Sequence, residues 1–249
     1  MNLDLMISTL NNLAHRPWPL PERKWTLSMR WADLLFMHWR VDAVAFRRRI
    51  PAGLELDLFE GQAWLGVVPF CMVDTHLRGL PPMPFASSFP ELNVRTYVRR
   101  NGKSGVWFFS LDATSWLAVQ TARRFFHLPY EHAQMSAETV EGTIQYQSDR
   151  RDGRAKFVGS YRAVGPVTLA KPGTLEHWLT ERYCLYSADS KDGLWRGEIH
   201  HEPWPLQSAE VEVRMNTMTA PLGISLPDTQ PVVHFAKALD VIAWSIDRV

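Results

Sequence analysis

The sequence predicts a mainly β fold, an antiparallel β-barrel or strongly curved sheet with a few short helices. Segments in which apolar and polar residues alternate recur along the chain, and turn residues separate them. No strand–helix–strand rhythm, internal repeat or glycine-rich phosphate loop interrupts this pattern. The 249 residues contain no linker rich in Pro, Gly or Ser between two halves, so a single domain is expected.

An N-terminal helical extension is predicted for residues 1–24, where apolar residues recur at helical spacing before Pro17. The β core is predicted for residues 25–246. Its first elements are, in order, strand segments over 25–39, a helix over 43–49 capped by Asp42, a hairpin of 54–59 with 63–68, and a proline-rich loop over 79–84.

The strongest hairpin signal follows that loop. Residues 93–98 and 106–111 alternate on either side of an Asn101-Gly102 turn. Helical spacing then begins at Trp116 and ends at Leu128-Pro129. The remaining elements are, in order, a hairpin of 141–146 with 155–163, a helix over 175–179, a hairpin of 183–187 with 194–200, and strands over 211–215 and 232–246.

Charge and composition argue against several classes of function. The 27 Lys and Arg residues balance 26 Asp and Glu residues, so a nucleic-acid partner is not expected. No apolar run is long enough for a membrane span, and residues 1–6 lack the basic segment of a secretory signal. The two cysteines, Cys71 and Cys184, form neither a disulfide framework nor a zinc pattern. A cytoplasmic protein with no membrane partner is therefore predicted.

Nine histidines prompt a search for a metal site, but their spacing does not predict one. His127 and His132 straddle Pro129, which prevents a helix from aligning them as ligands. His200 and His201 are adjacent on a predicted strand and point to opposite faces, so at most one of them can face a given site. One of this pair is expected to be a hydrogen-bonded histidine at a strand end beside Trp204, and His201 is also a candidate for ligand binding. Neither a metal nor a cofactor is predicted.

Three polar segments in apolar surroundings are candidates for a functional site. They are Glu91, Asn93, Arg95 and Tyr97 on one face of a predicted strand, Tyr130 directly after a helix end, and Glu181 with Arg182 at a helix-to-strand transition. A polar stripe inside an apolar barrel would form a site. For each segment, surface charge or a structural ion pair is the competing interpretation.

These segments belong to a wider set of motifs, namely residues 91–98, 109–113 and 122–130, Thr180-Glu181-Arg182-Tyr183, and His201-x-Pro203-Trp204-Pro205-Leu206. Together they resemble the YqjF-like family of uncharacterised bacterial proteins, over roughly residues 25 to 246. That family is similar in fold to acetoacetate decarboxylase. The resemblance implies a cone-shaped antiparallel β-barrel, in agreement with the hairpin pattern.

The resemblance also implies that one chemistry is missing. Acetoacetate decarboxylase carries two adjacent lysines after a short helix, and the first forms a Schiff base with the keto acid. Tyr130 and Glu131 occupy those positions here, and a phenol cannot form an imine. The active-site glutamate of the decarboxylase falls on Glu91, and its substrate-positioning arginine falls near Ala32, two residues from Arg30 on the same strand face. The chain is therefore not expected to be a Schiff-base decarboxylase.

A second glutamate of the decarboxylase falls near Gly66-Val67, where this chain has no acid. The six lysines offer one serious substitute for the missing nucleophile, Lys237 in the final apolar segment. The others lie in turns, in the basic start of the chain, before a proline or on a strand face that is expected to be exposed.

Three functions are open at this stage. The first is a pocket for a small organic anion, a keto or carboxylate compound, in which Glu91 and Tyr130 act as catalytic acid–base groups. The candidates for ligand binding are Arg30, Arg95, Tyr97, Glu181, Arg182 and His201, because an arginine fork fits a carboxylate. The second is a non-catalytic ligand-binding or sensing module with the same pocket. The third is an interaction protein whose aromatic residues form a homo-oligomer interface.

The first function carries two geometric expectations. Glu91 should point into a cavity that Tyr130 also borders, and Arg95 with at least one of Arg30 and Arg182 should reach the same cavity. Aromatic surroundings would raise the pKa of Glu91 and a neighbouring arginine would lower it, and the sequence leaves the direction open.

Overall fold

Thirteen strands form one large sheet in the part of the chain that the structure describes, a computed structural model covering residues 9–80 and 87–249. The strands are β1 (Leu27–Val41), β2 (Glu55–Leu56), β3 (Ala63–Leu77), β4 (Phe89–Arg100), β5 (Lys103–Ala113), β6 (Tyr130–Val140), β7 (Thr143–Arg150), β8 (Lys156–Leu169), β9 (Cys184–Ala188), β10 (Leu194–His201), β11 (Pro205–Asn216), β12 (Val232–Ala243) and β13 (Asp247–Arg248).

The sheet curves into a ring. Its strand order is β13-β10-β9-β5-β6-β7-β8-β11-β12-β1-β3-β4-β2, and additional pairings join β10 to β12 and β5 to β4. The predicted mainly β fold with a strongly curved sheet is confirmed. The pairing is not wholly antiparallel, because β5 pairs in parallel with both β6 and β9. A helix connects β5 to β6, and this crossover lets the chain return in the same direction.

Three short helices punctuate the strands, α1 (Ala43–Arg47), α2 (Trp116–Phe126) and α3 (Leu175–Thr180), and a 3₁₀ turn spans Ala220–Leu222. Each α-helix begins at a side-chain cap: Asp42, Ser115 and Thr174 accept a hydrogen bond from a backbone N–H of the first turn. Helix α2 ends at His127, whose left-handed φ of 51° turns the chain toward β6. This turn delivers Tyr130 to the sheet.

One predicted hairpin is wrong. The segments 54–59 and 63–68 were expected to pair, but β2 pairs with β4, opposite Arg99 and Val98. The connection to β3 is only a tight turn with an isolated bridge between Phe59 and Gln62. Turn residues predict a reversal of the chain, but they do not identify the strand with which each arm pairs.

A backbone irregularity in β1 decides which of its side chains face the interior. Asp33 has a positive φ of 52°, and the register between β1 and β3 shifts between Ala32 and Met37. An inserted residue reverses the alternation of faces. Met29 and Trp31 therefore pack on the same core cluster as Phe36, although they occupy odd positions and Phe36 an even one.

The N-terminal extension lies along β10. Residues 9–11 are helical, and the earlier apolar positions of the predicted helix lie outside the described residues, as do positions 81–84 of the predicted loop. Arg16 forms a buried ion pair with Glu198 at 2.7 Å, and His15 Nε2 lies 2.8 Å from the carbonyl of His201. Cys71 and Cys184 are both free thiols. No helix among the described residues is long and apolar enough to cross a membrane.

Candidate functional site

The polar face of β4 points into the core. Glu91, Asn93, Arg95 and Tyr97 are all buried. Strand β4 pairs with β3 without a register shift, so these alternate residues share one face. We call this face, together with the side chains packed against it from β1, α3 and the 201–204 segment, the interior site.

At one end of the interior site, Glu91 meets Tyr130. The Tyr130 hydroxyl donates a hydrogen bond of 2.7 Å to Glu91 Oε2, and both side chains are buried. Arg123 on α2 fixes the backbone of Tyr130 by donating to its carbonyl at 2.6 Å. The Tyr146 hydroxyl donates to the backbone carbonyl of Glu91 at 2.7 Å. The carboxyl and the phenol are thus held against each other from three strands.

Burial determines the protonation of this pair. It raises the pKa of Glu91 to about 8, and nearby Asp112 adds to the rise, against the hydrogen bond from Tyr130, which lowers it. Burial also raises the pKa of Tyr130 well above its ordinary value, with Glu91 contributing. At pH 7 both groups therefore carry their protons. The sequence left open whether the pKa of Glu91 is raised or lowered, and in the structure it is raised.

At the other end of the interior site, Arg95 is buried without a counter-ion. Its guanidinium carbon lies 5.3 Å from the ring centre of Phe36 and 5.8 Å from that of Tyr97. Within residues 9–80 and 87–249, no carboxylate oxygen lies within 4.0 Å of the guanidinium, and its Nε has no hydrogen-bond partner. Most buried arginines in proteins are paired. Arg95 is an exception among the described residues, and the side chain that shares a hydrogen bond with it is the Tyr97 phenol rather than a carboxylate.

Gly66 makes room for Arg95. It pairs with Arg95 on one side and with His38 on the other. A Cβ at this position would lie 3.1 Å from the His38 ring and 3.2 Å from Arg95 Cγ, closer than ordinary packing allows. The resemblance to the decarboxylase placed a second glutamate near Gly66-Val67. In this structure the side chains of His38 and Arg95, from the two neighbouring strands, fill the space over Gly66.

A second arginine reaches the same region. The Arg182 guanidinium carbon lies 4.8 Å from the ring centre of Tyr97 and 4.4 Å from that of Trp178. Arg182 Nη1 pairs with Asp57 at 2.6 Å, and its Nη2 has no partner. Tyr97 also hydrogen-bonds His38 Nε2 at 2.6 Å. Burial, aided by Arg95, holds the pKa of His38 well below its ordinary range, so the imidazole is neutral.

Aromatic rings connect the two ends. The ring centres of Phe36 and Trp204 lie 4.9 Å apart, those of Trp204 and Trp31 5.8 Å apart, and those of Trp31 and Phe70 6.1 Å apart. Phe70 pairs with Glu91 across β3 and β4. His201 contacts the same wall, 5.4 Å from Trp204.

Several buried polar atoms of the interior site lack hydrogen-bond partners among the described residues. They are Trp31 Nε1, His38 Nδ1, Asn93 Oδ1, Arg95 Nε, Arg182 Nη2 and Trp204 Nε1. In folded proteins, nearly all buried polar atoms find a partner in the protein or in bound solvent. Six of the fifteen such atoms among the described residues lie in the interior site.

Two of the residues predicted to bind a ligand, Arg30 and Glu181, have other positions or partners. Arg30 lies on the opposite face of β1, where it forms a two-pronged ion pair with Asp240 at 2.8 and 2.9 Å, because the irregularity at Asp33 reverses the faces. Both carboxylate oxygens of Glu181 are occupied, one by the backbone N–H of Trp204 at 2.9 Å and the other by the Tyr183 hydroxyl. Glu181 therefore positions Trp204.

Lys237 is also away from the interior site. Its side chain is 72 % exposed and pairs with Asp33. All six lysines lie among the described residues, and none of them is buried. No lysine amine that could form an imine is thus buried in the described part of the chain.

Two surface cavities, of about 550 and 400 Å³, flank helix α1 and are lined by none of the predicted site residues. The prediction that Glu91 and Tyr130 border a cavity stays a prediction, because in this structure the two side chains contact each other. No group of three or more His, Cys, Asp or Glu residues in the described part of the chain is arranged to hold a metal ion.

Sequence reasoning missed His38, Trp31, Trp204 and Asp57. The alternation of Phe36 and His38 on β1 was visible, but a lone histidine beside a phenylalanine is more often part of the core. Trp204 belongs to a motif of the family resemblance, but neither tryptophan was assigned to the site, because such rings are more often part of the core.

The fold is similar to those of several solved structures. Acetoacetate decarboxylase from Legionella pneumophila aligns with a TM-score of 0.62 at 13% identity, covering 94% of this chain and 93% of that one. The enduracididine biosynthesis enzyme MppR, complexed with pyruvate, gives 0.64 at 12% identity, with the same coverage of 94% and 93%. An acetoacetate decarboxylase-like enzyme from Sphingomonas wittichii gives 0.61 at 12% identity, covering 94% and 97%. The chain has the acetoacetate decarboxylase-like fold.

Its family is defined by sequence. Residues 28–240 match DUF2071, a family described as an uncharacterized conserved protein. A relative from Bacillus subtilis, the uncharacterized protein YqjF, is 45% identical over 230 residues, which cover 92% of this chain and 95% of the relative. The chain therefore belongs to the DUF2071 family and is YqjF-like.

Borohydride reduction in the presence of acetoacetate is expected to leave no covalent adduct on this protein. The resemblance to the decarboxylase implies that Tyr130 stands at the position of the imine-forming lysine, and none of the six lysines is buried. Intact-mass spectrometry measures the adduct, and an authentic acetoacetate decarboxylase treated in parallel controls the trapping. A stoichiometric adduct on Lys237 or any other lysine would overturn this expectation.

Proposed function

We propose that the chain binds a small organic anion, a keto acid or another carboxylate, in the interior site. The observation that carries this proposal is Arg95, 9% exposed and without a carboxylate partner among the described residues. A buried lone charge is costly, and an anion that pairs with it removes most of that cost. A carboxylate suits the planar guanidinium because both oxygens can accept hydrogen bonds. Arg182, paired with Asp57, offers its unpartnered Nη2 as a further hydrogen-bond donor at the same end.

The Glu91–Tyr130 pair supports acid–base chemistry on this ligand. A carboxyl group with a pKa of about 8 is a proton donor at neutral pH, and it lies on the same strand face as Arg95. Keto–enol, dehydratase and lyase reactions each need a proton moved at a carbon next to a carbonyl. Glu91, protonated at pH 7, would give that proton, and the Tyr130 hydroxyl would stabilise the carboxylate that remains after the transfer. The fold by itself specifies none of these reactions.

A non-catalytic ligand-binding or sensing module is the second candidate. The burial of Glu91 favours this second candidate, because the carboxyl group is 2% exposed and already hydrogen-bonded to Tyr130. Saturable binding with no turnover of any keto acid in a panel would establish this alternative. Conversion of one panel member would establish the enzyme.

Replacing Arg95 with Met is expected to weaken binding of the best carboxylate at least tenfold. The change keeps much of the side-chain volume and removes the hydrogen-bonding fork, a loss of about 1.5–3 kcal/mol. Isothermal calorimetry with pyruvate, acetoacetate and phenylpyruvate measures it.

Arg30→Met is the matched control, because Arg30 lies on the outer face of β1 and pairs with Asp240. The Arg30→Met variant should bind pyruvate, acetoacetate and phenylpyruvate with the same affinity as the unmodified protein. Equal affinities for the Arg95→Met variant and the control would remove the anion-binding role from Arg95.

A further inference from the structure

The indoles of Trp31 and Trp204 lie face to face at the middle of the interior site. Their ring centres are 5.8 Å apart and their planes differ by 17°. The Nε1 atom of each is buried and has no hydrogen-bond partner among the described residues. Buried tryptophans ordinarily find an acceptor for this N–H, and a dry unpaired donor destabilises the fold. The two rings are neighbours, and the described residues supply neither donor with an acceptor.

Their position relates this acceptor to the proposed ligand. Trp204 contacts Phe36, over which the Arg95 guanidinium lies, and Trp31 contacts Phe70, which pairs with Glu91. The indoles thus stand between the cationic end and the acid end. These ends are four residues apart on β4, about 13 Å at the usual strand rise. A ligand of two or three carbons would reach one end only.

We propose that the ligand is an aryl-substituted keto acid. Its carboxylate binds Arg95, its carbonyl oxygen accepts hydrogen bonds from Trp31 and Trp204, and its aromatic ring lies against the wall that continues toward Phe70 and Glu91. This inference rests on the anion-binding part of the proposed function and adds the ligand class. Because the ring separates the carbonyl from Glu91, it favours the binding module over proton transfer by Glu91. A planar ring gains contact energy on aromatic walls that a methyl group does not, and a carbonyl oxygen satisfies the indole donors.

Three ligands separate the parts of this inference. Phenylpyruvate carries the phenyl ring, the carbonyl and the carboxylate, pyruvate lacks the ring, and 3-phenylpropanoate lacks the carbonyl. Calorimetry should find phenylpyruvate at least tenfold tighter than pyruvate and about fivefold to tenfold tighter than 3-phenylpropanoate. Pyruvate binding as tightly as phenylpyruvate would overturn the aryl assignment and leave the proposed function intact. Failure of all three carboxylates to bind would instead contradict the proposed function.

Two conservative variants test the indole donors. Trp31→Phe and Trp204→Phe keep an aromatic ring and remove the N–H. Each variant should weaken the binding of phenylpyruvate about fivefold and leave the binding of 3-phenylpropanoate unchanged. The gain in affinity from the carbonyl should then disappear, while the gain from the aromatic ring should persist. Because these donors have no partner among the described residues, neither variant is expected to lower the melting temperature through a broken hydrogen bond.

Trp116→Phe is the matched control, because Trp116 on α2 is 60% exposed. It should bind all three ligands as the unmodified protein does. If the Trp31→Phe variant, whose ring is only partly buried, binds phenylpyruvate with unchanged affinity, the indole assignment is wrong. The affinity of the Trp31→Phe variant for phenylpyruvate tests the assignment even if the Trp204→Phe variant does not fold, because the two variants are separate proteins.

Discussion

Replacing Glu91 with Gln is expected to stabilise the protein increasingly as the pH rises from about 5 to 8. The folded state holds a proton on Glu91 up to a pKa of about 8, whereas the unfolded chain releases it near the ordinary value of 4.5. In this window the native protein binds more protons than the unfolded chain, so its free energy of unfolding falls by about 1.4 kcal/mol per pH unit from this group. Glutamine has the same shape and no proton to lose.

Urea denaturation of both proteins at pH 5, 6, 7 and 8 measures this difference. The gap in unfolding free energy between Glu91→Gln and the unmodified protein should widen at each step. Glu55→Gln is the control, because Glu55 is an exposed partner of Arg99. Parallel pH profiles for Glu91→Gln and the unmodified protein would contradict a buried, protonated Glu91.

The same variant separates the two candidate functions. Glu91→Gln should bind phenylpyruvate with an affinity close to that of the unmodified protein, because glutamine keeps the volume and the hydrogen bond with Tyr130. Any turnover that depends on proton transfer should disappear. Turnover that survives in this variant would remove the acid–base role from Glu91 and leave the binding module.

Replacing Asp57 with Asn is expected to reduce the free energy of unfolding by about 3–5 kcal/mol. Asp57 and Arg182 form a buried ion pair at 2.6 Å, and Asp57 also anchors its own loop by donating its backbone N–H to the carbonyl of Tyr97. The variant leaves the guanidinium of Arg182 buried beside Tyr97 and Trp178 without its counter-ion. Guanidinium denaturation followed by circular dichroism at one pH and salt concentration measures the loss.

The matched control is again an acid paired with an arginine. In the Arg99–Glu55 pair the side chains are 55% and 68% exposed, so Glu55→Gln should cost less than about 1 kcal/mol. A similarly small effect for Asp57→Asn would mean that water reaches Arg182 and that the arginine end of the interior site is open.

Local patterns were sufficient to predict much of the fold. The alternation on both sides of Asn101-Gly102 predicted the β4–β5 hairpin, which forms with Arg100 opposite Lys103. Helical spacing and the Leu128-Pro129 stop predicted α2. The pairings that close the ring were not predictable, because β10 with β12 and β5 with β9 join segments far apart in the chain. Nothing local to either strand specifies its distant partner.

The interior site, like the fold, could be predicted from the sequence only in part. Regular alternation on β4 was enough to place Glu91 and Arg95 on one face, and the position of Tyr130 followed from the helix end before it. Arg30 was assigned to the wrong face because the sequence does not show that Asp33 adopts a positive φ, which reverses the alternation in β1. The pKa direction of Glu91 needed coordinates. Its environment is set by burial and by Asp112, neither of which follows from its neighbours in sequence.

A crystal structure with 4-bromophenylpyruvate tests the anion site most directly, because anomalous scattering from bromine locates the ring independently of the carboxylate. We expect the carboxylate oxygens about 3 Å from the Arg95 guanidinium, the carbonyl oxygen within hydrogen-bonding distance of Trp31 and Trp204, and the bromine toward Phe70. A ligand found in the surface cavities beside α1, with the Arg95 guanidinium still lacking an anion, would contradict the assignment of the interior site.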